Sequence, residues 1–308
     1  MGVKSKAAAA ILVLLLFLGS LWLQGGLDYH WESCLKAYNQ ENNSIPPPPP
    51  PQPHQLNNSN VVKGTGVLET CPGQNFQVSL LVFHLLAAPA STSDVLLQPY
   101  LSSWDELVKF MEALGPMVGL ISQEIQSKTS IIRELALLAE KSPEAELGPG
   151  VLSLNPVGKQ AESPPDSGGY HSVRSMIRME LDQGLVDFER QTDSGCRTIL
   201  RLHRALLWLK LFLGKLAEIP AAGRLESPSE LCREAYQITL AKHHSWFVRR
   251  AAEIAFIAMP ERNFFFRLLC VQNQEDLSRV LTKVVQATGE VYNRTQRALE
   301  EHGMLDLP

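Results

Sequence analysis

Arg197, Arg201, Arg204 and Trp208 follow one another at spacings of four, three and four residues. At ~100° per residue a helix gathers all four within roughly 60° of arc. The positions between and around them are apolar: Ile199, Leu200, Leu202, Leu206, Leu207, Leu209, Leu211, Phe212 and Leu213. A helix apolar on nearly every side is a buried one, and an unpaired buried guanidinium is too costly to keep. The stripe therefore needs partners. Carboxylates from elsewhere in the fold would serve, and so would water if the stripe faces solvent. An anionic ligand would also serve, since Arg197 and Arg201, one turn apart, form forks suited to phosphate.

Two further groups could join them. Glu124 and Lys128 are four apart in an apolar stretch, which reads equally as an ordinary helix ion pair. His243-His244-Ser245-Trp246-Phe247 runs into Val248-Arg249-Arg250, a pattern that fits either a helix with a solvated basic end or a surface with an aromatic anchor and cations for an anionic membrane. Catalytic and metal patterns are missing. There is no His-Glu-x-x-His and no Gly-x-Ser-x-Gly. Gly158-Lys159 fails as a phosphate loop because Gln160 follows. A cysteine hydrolase built from Cys196 and His244 has no local support. The expectation is a binding protein with no metal, no cofactor and no chemical step.

These groups must be held by a scaffold, and composition bounds it. The chain has 308 residues, 45% hydrophobic and 19% charged, with net charge -4. That suffices for one sizeable core and argues against nucleic acid, which calls for a strongly basic domain. None of the five cysteines has Cys-x-x-Cys spacing. Cys196, Cys232 and Cys270 lie in apolar, helix-like contexts and read as buried thiols, whereas Cys34 and Cys71 flank a polar linker and could pair in an oxidising compartment.

Residues 1–26 read as a signal peptide or signal anchor: Lys4 and Lys6 precede an apolar run from Ala7 to Leu23. The lysines favour a cytosolic N-terminus and place the rest in the secretory pathway. Residues 27–74 read as a linker around the proline run Pro46–Pro51, with glycosylation sequons at Asn42 and Asn57. Residues 75–308 read as the folded domain, interrupted by a Gly/Pro/Ser-rich loop near 143–169. Helices are expected at Phe76–Leu86, Ser102–Ala113 (capped by Ser102-Ser103), Val118–Ala139, His171–Arg190 and Gly195–Leu216. Another begins at Ser227 and continues to Ile257, followed by a short one at Asn263–Cys270 and a last one at Gln274–His302. No alternating strand pattern is present. The fold class is all-α, a layered bundle of about eight helices.

Several of these stretches together resemble the glycolipid transfer protein family, in its ceramide-1-phosphate-selective branch. They are Gly-Cys-Arg-Thr-Ile-Leu-Arg-Leu-His-Arg-Ala-Leu-Leu-Trp-Leu from Gly195, Ile121 to Lys128, His244 to Arg250, and the final Leu305-Asp306-Leu307-Pro308. The resemblance spans roughly Asn75 to Pro308. It implies a two-layer helical sandwich, monomeric, enclosing an apolar pocket for one sphingolipid. Lys128, Arg197 and Arg201 would grip the phosphate of ceramide 1-phosphate, and His244 would bond the ceramide amide carbonyl. Glu124 stands where the family has an Asp that accepts from the amide N–H. Arg201 stands where sugar-binding relatives have a tryptophan. His243 replaces a Tyr, and Ser245 a Pro. By their own residue chemistry Trp246, Arg249 and Arg250 are the candidates to dock the site on a membrane, while beside this set Arg204 and Trp208 are assigned to structural support. The implied activity is transfer of ceramide 1-phosphate between membranes. A membrane-tethered sensor or scaffold and a glycolipid carrier are the alternatives. Family relatives are soluble and face cytosolic leaflets, at odds with the N-terminal segment.

Overall fold

A computed structural model describes residues 71–141, 168–219 and 225–308. The expected leader at 1–26, the linker up to residue 70 with Cys34, Asn42 and Asn57, and the loop expected near 143–169 as far as residue 167 lie outside the described residues. Nine α-helices and two short 3-10 turns are present among the described residues, with no strand. They are α1 Val78–Ala87, α2 Leu97–Ala113, α3 Pro116–Lys141, α4 Val173–Asp182 and α5 Gly195–Ala217. There follow α6 Pro228–Thr239, α7 Trp246–Ile257, α8 Arg262–Leu268 and α9 Gln274–Glu301. The all-α expectation holds.

The centre is α5. It packs against α9, α6, α3 and α4, while α2 bridges α1 and α3, and α7 lies on α6 and α3. Its apolar face buries Ile199, Leu202, Leu206, Leu209, Phe212 and Leu216. Aromatic contacts tie the far end of the core together: Phe76 to Phe110 at 5.4 Å between ring centres, Phe110 to Phe265 at 6.3 Å, and Phe265 to Phe212 at 6.2 Å.

Three of the expected helices differ by more than two residues at an end or by a break. The second helix starts at Leu97, five residues early, with Pro99 tolerated in its first turn. Ser102 and Ser103 therefore lie inside it, and Ser103 Oγ donates to the Tyr100 carbonyl instead of capping. The helix expected from His171 to Arg190 is shorter: Ser172 caps it through a reciprocal bond with Ser175, and Gly184, at φ 66°, supplies the left-handed residue that ends it. The helix expected from Ser227 to Ile257 is two. It begins with the Ser227–Glu230 capping box, stops at Thr239, turns through Ala241–His243, and restarts behind Ser245 as the new cap.

The cysteines also differ. Cys71 is bonded to Cys270, with Cα atoms 5.8 Å apart and a sequence separation of 199. The pairing of Cys34 with Cys71 and the reading of Cys270 as a free buried thiol are both corrected. Local sequence could not show that the entry segment runs back along α8; there Gln74 donates to the Arg267 carbonyl, and Gln77 clamps both backbone groups of Cys71. Cys196 and Cys232 are the buried free thiols expected.

Candidate functional site

The arginine-bearing helix is anchored at its start. Ser194 accepts from the Arg197 N–H as N-cap. The buried Glu180 of α4 accepts from the N–H groups of Gly195 (2.6 Å) and Cys196 (2.9 Å), and from the Tyr170 hydroxyl. A carboxylate there satisfies helix-end donors and complements the helix dipole. Gly195 is required by this approach: a Cβ would lie 2.7 Å from both Glu180 Oε1 and Met176 Sδ.

Along that helix the three guanidiniums have different fates. Arg197 Nε donates to the Pro308 carbonyl oxygen (2.6 Å), and its other nitrogens to Gln191 Oε1 and the Thr192 carbonyl. Arg204 donates to the Leu305 carbonyl. Arg201 makes no hydrogen bond or ion pair among the described residues. None of the three meets a side-chain carboxylate as a salt bridge among the described residues, so the simplest partner for the stripe is not what the fold provides. Burial of Arg201 and the neighbouring Arg197 charge both disfavour its protonated form, while Glu124 and Asp193 favour it.

On α3, Lys128 is mostly covered and pairs at 3.0 Å with Glu124, whose side chain is 67% exposed. One turn of helix sets this spacing, and an exposed i,i+4 pair is weak. Glu124 can therefore release Lys128 to a better anion.

The third group depends on the break between α6 and α7. In one continuous helix Tyr236 and His244 would stand about 12 Å apart along the axis. The 3-10 turn folds His244 back, and its Nδ1 lies 2.9 Å from the Tyr236 hydroxyl. Burial lowers the proton affinity of His244, which keeps the ring neutral with Nε2 available to a ligand. Tyr236 is a site residue that the sequence alone did not single out. Its only signal was an offset of eight residues, meaningful once the helix is known to break.

These elements surround one cavity of about 730 Å³, within the range of small-molecule sites. Glu124, Lys128, Arg201, Arg204, His243 and His244 form its polar wall. Its apolar wall comes from Met111, Leu120, Ile121 and Ile125 on one side and Leu209, Leu240, Val248 and Phe256 on the other. Arg197 is not part of the lining; it stands one turn behind Arg201. Trp208 is buried at the cavity wall, its indole N–H directed to the Cys232 carbonyl at 3.5 Å. Cys196 does not belong to the cavity, and burial together with Glu180 pushes its thiol up, so the Cys196–His244 hydrolase pair is not assembled. Trp246, Arg249 and Arg250 lie exposed at the start of α7, with the Arg250 guanidinium 5.7 Å from the Trp246 ring centre. The surface here is unusually apolar: Trp246 is 56% exposed, Phe247 78% and Ile257 74%.

Comparison with known proteins agrees with this geometry. Residues 95–271 match the family model for glycolipid transfer protein. The chain is 37% identical over 239 residues to the human (Homo sapiens) ceramide-1-phosphate transfer protein, covering 77% of this chain and 97% of that one. It is 36% identical to the Xenopus laevis ceramide-1-phosphate transfer protein, covering 70% and 88%. A crystal structure of human ceramide-1-phosphate transfer protein in complex with 12:0 ceramide-1-phosphate superposes with a TM-score of 0.60 at 35% identity, covering 75% of this chain and 98% of that one. With its all-helical architecture and its cavity assembled from the same stretches, this chain belongs to the glycolipid transfer protein family.

Proposed function

We propose that this protein binds ceramide 1-phosphate and moves it between membranes without chemical conversion. The observation that carries this reading is Arg201: a guanidinium with no hydrogen-bond or ion-pair partner among the described residues, on the wall of an apolar cavity. Lys128 and Arg201 meet the phosphate, Arg197 adds positive potential from one turn behind, Glu124 accepts from the ceramide amide N–H, and His244 donates to its carbonyl. Similarity to ceramide-1-phosphate transfer proteins, one of them solved with that lipid, supports the assignment. Withdrawing a two-chain lipid exposes about thirty methylenes at ~0.8 kcal/mol each, on the order of 20 kcal/mol. A carrier must offset that with an equally dry cavity, and the leucines, isoleucines and methionines of α2, α3, α5 and α7 supply one.

The aromatic and aliphatic surface around Trp246, Phe247 and Ile257, flanked by the exposed Lys242, Arg249 and Arg250, suits docking on an anionic bilayer. Val248 and Ile254 continue from that surface into the cavity, so a docked protein opens its pocket toward the lipid.

The test is vesicle-to-vesicle transfer of labelled ceramide 1-phosphate. Arg201→Glu is expected to reduce transfer by at least about tenfold, the equivalent of one charge-assisted bond lost. Unchanged transfer would refute the headgroup assignment, and a preference for galactosylceramide would favour the sugar-carrier reading. The apolar, lysine-led N-terminus and the Cys71–Cys270 bond favour maturation in the secretory pathway. A mobility shift on deglycosylation of the cell-derived chain is the expected result. An unmodified, cytosolic chain would return the protein to the location its relatives imply.

A further inference from the structure

His243 is the cavity residue to which no role has yet been attached. It sits in the 3-10 turn before His244, is exposed to solvent, and lines the same cavity as Lys128, Arg201 and Arg204. Tyr236 holds His244, but no hydrogen-bond partner holds the His243 ring among the described residues. Its imidazole is free to turn toward whatever occupies the polar end.

We propose that His243 is a titratable contact for the phosphate headgroup: its imidazolium joins Lys128 and Arg201 around the anion, so the grip tightens as pH falls. This rests on the headgroup reading above and extends it to the charge state of the site.

The electrostatics around His243 argue for it. Partial burial, then Arg204 on α5 and Lys242 and His244 in its own turn, lower its proton affinity; Asp306 in the C-terminal turn opposes them. Glu124 and Lys128 of α3 and Arg201 of α5 complete the charged lining. In the empty site cationic neighbours thus outnumber acidic ones, and the ring is neutral at pH 7. A phosphate monoester carries about -1.5 to -2 charge near neutral pH. Placed among these cations, it turns their repulsion of a proton on His243 into attraction. Protonation and occupancy then favour one another, as linkage requires. Because the proton affinity of His243 is lower in the empty site than in the filled one, affinity rises as pH falls through the filled-site pKa. It levels off below the empty-site pKa.

The test compares the full wild-type chain with His243→Gln and His243→Lys, which are permanently neutral and permanently cationic at this exposed position. Transfer and equilibrium binding are measured between pH 8 and pH 5 with phosphatidylcholine vesicles carrying ceramide 1-phosphate. The phosphate of the free lipid titrates equally in all three assays and cancels from ratios between the proteins, which leaves the side chain and its coupling to the bound phosphate. Wild type is expected to match His243→Gln at pH 8 and to approach His243→Lys at pH 5. The affinity ratio to His243→Gln should rise by about tenfold for each pKa unit that occupancy adds. A ratio flat across the range overturns the proposal while leaving the headgroup reading intact. Failure of all three proteins to take up ceramide 1-phosphate at any pH overturns the headgroup reading and the His243 proposal with it.

Discussion

Arg197 and Arg201 carry the same group one turn apart, yet the fold spends one and leaves the other. Arg197 is held by three oxygens, from Pro308, Thr192 and Gln191; Arg201 is open to the cavity. Their variants should therefore differ. Arg197→Ala is expected to loosen the docking of Gln191, Thr192 and Pro308 and to lower thermal stability. Arg201→Ala should leave the melting temperature nearly unchanged and act on transfer. Equal losses of stability in both would contradict this division. A second pair, His203 and Gln296, gives a pH prediction. His203 is 2% exposed, its Nε2 is 2.5 Å from Gln296 Oε1, and its ring stacks on Tyr292. Burial drops its pKa from 6.5 to about 4. Between those values the unfolded chain takes up a proton that the folded one refuses, so stability is retained above pH 6.5 and lost as pH falls toward 4. The full loss is about 3 kcal/mol. Urea titrations at pH 7, 5.5 and 4 should show this slope, and His203→Phe should flatten it; parallel profiles would count against it.

Among the elements, the start of α5 is the joint on which the site depends. Glu180 satisfies two helix-end donors and a tyrosine hydroxyl in a buried position, and Gly195 leaves room for it. Glu180→Ala should cost about 3 kcal/mol by leaving buried donors unpaired. Gly195→Ala should cost about 1–3 kcal/mol by overpacking. Both are measurable by denaturant unfolding, and a change below 0.5 kcal/mol in both would show the contact to be unimportant. The other decisive joint is the turn between α6 and α7. Tyr236→Phe removes the hydroxyl facing His244 and should weaken lipid transfer several-fold for a stability loss of about 1 kcal/mol. An unaffected transfer rate would separate His244 from the headgroup end of the pocket.

At the scale of the molecule, the Cys71–Cys270 bond ties the entry segment to the turn after α8 across 199 residues. Closing so long a loop restricts the unfolded chain, and its loss should cost about 2–5 kcal/mol. Denaturation with and without reductant measures this, with Cys71→Ser/Cys270→Ser as the control that reductant should not affect; identical midpoints for oxidised and reduced wild type would exclude the bond. The same long-range contact explains a limit of sequence reading. Cys270 follows the stretch Phe264–Leu269, apolar except for Arg267, and looks like any buried thiol, because nothing local records which distant cysteine faces it.

Helix class and the chemical character of the site were legible without coordinates. Period-3.6 apolar patterning follows from local geometry, and Lys128, Arg201 and His244, which line the cavity, stood out only once the stretches that carry them were read together as resembling a lipid-transfer family. The placement of α5 at the centre was legible too, since a helix apolar on nearly every face has nowhere else to go. The tertiary structure alone decided the rest: that the Ser227–Ile257 run breaks at Ala241–His243, that Tyr236 holds His244, that Arg197 is spent on the Pro308 carbonyl while Arg201 is not, and that Cys71 meets Cys270. Each of these depends on which groups from distant parts of the chain arrive within a few ångströms. That is fixed by packing the whole core, whereas helix propensity and charge spacing report only on neighbours one or two turns away.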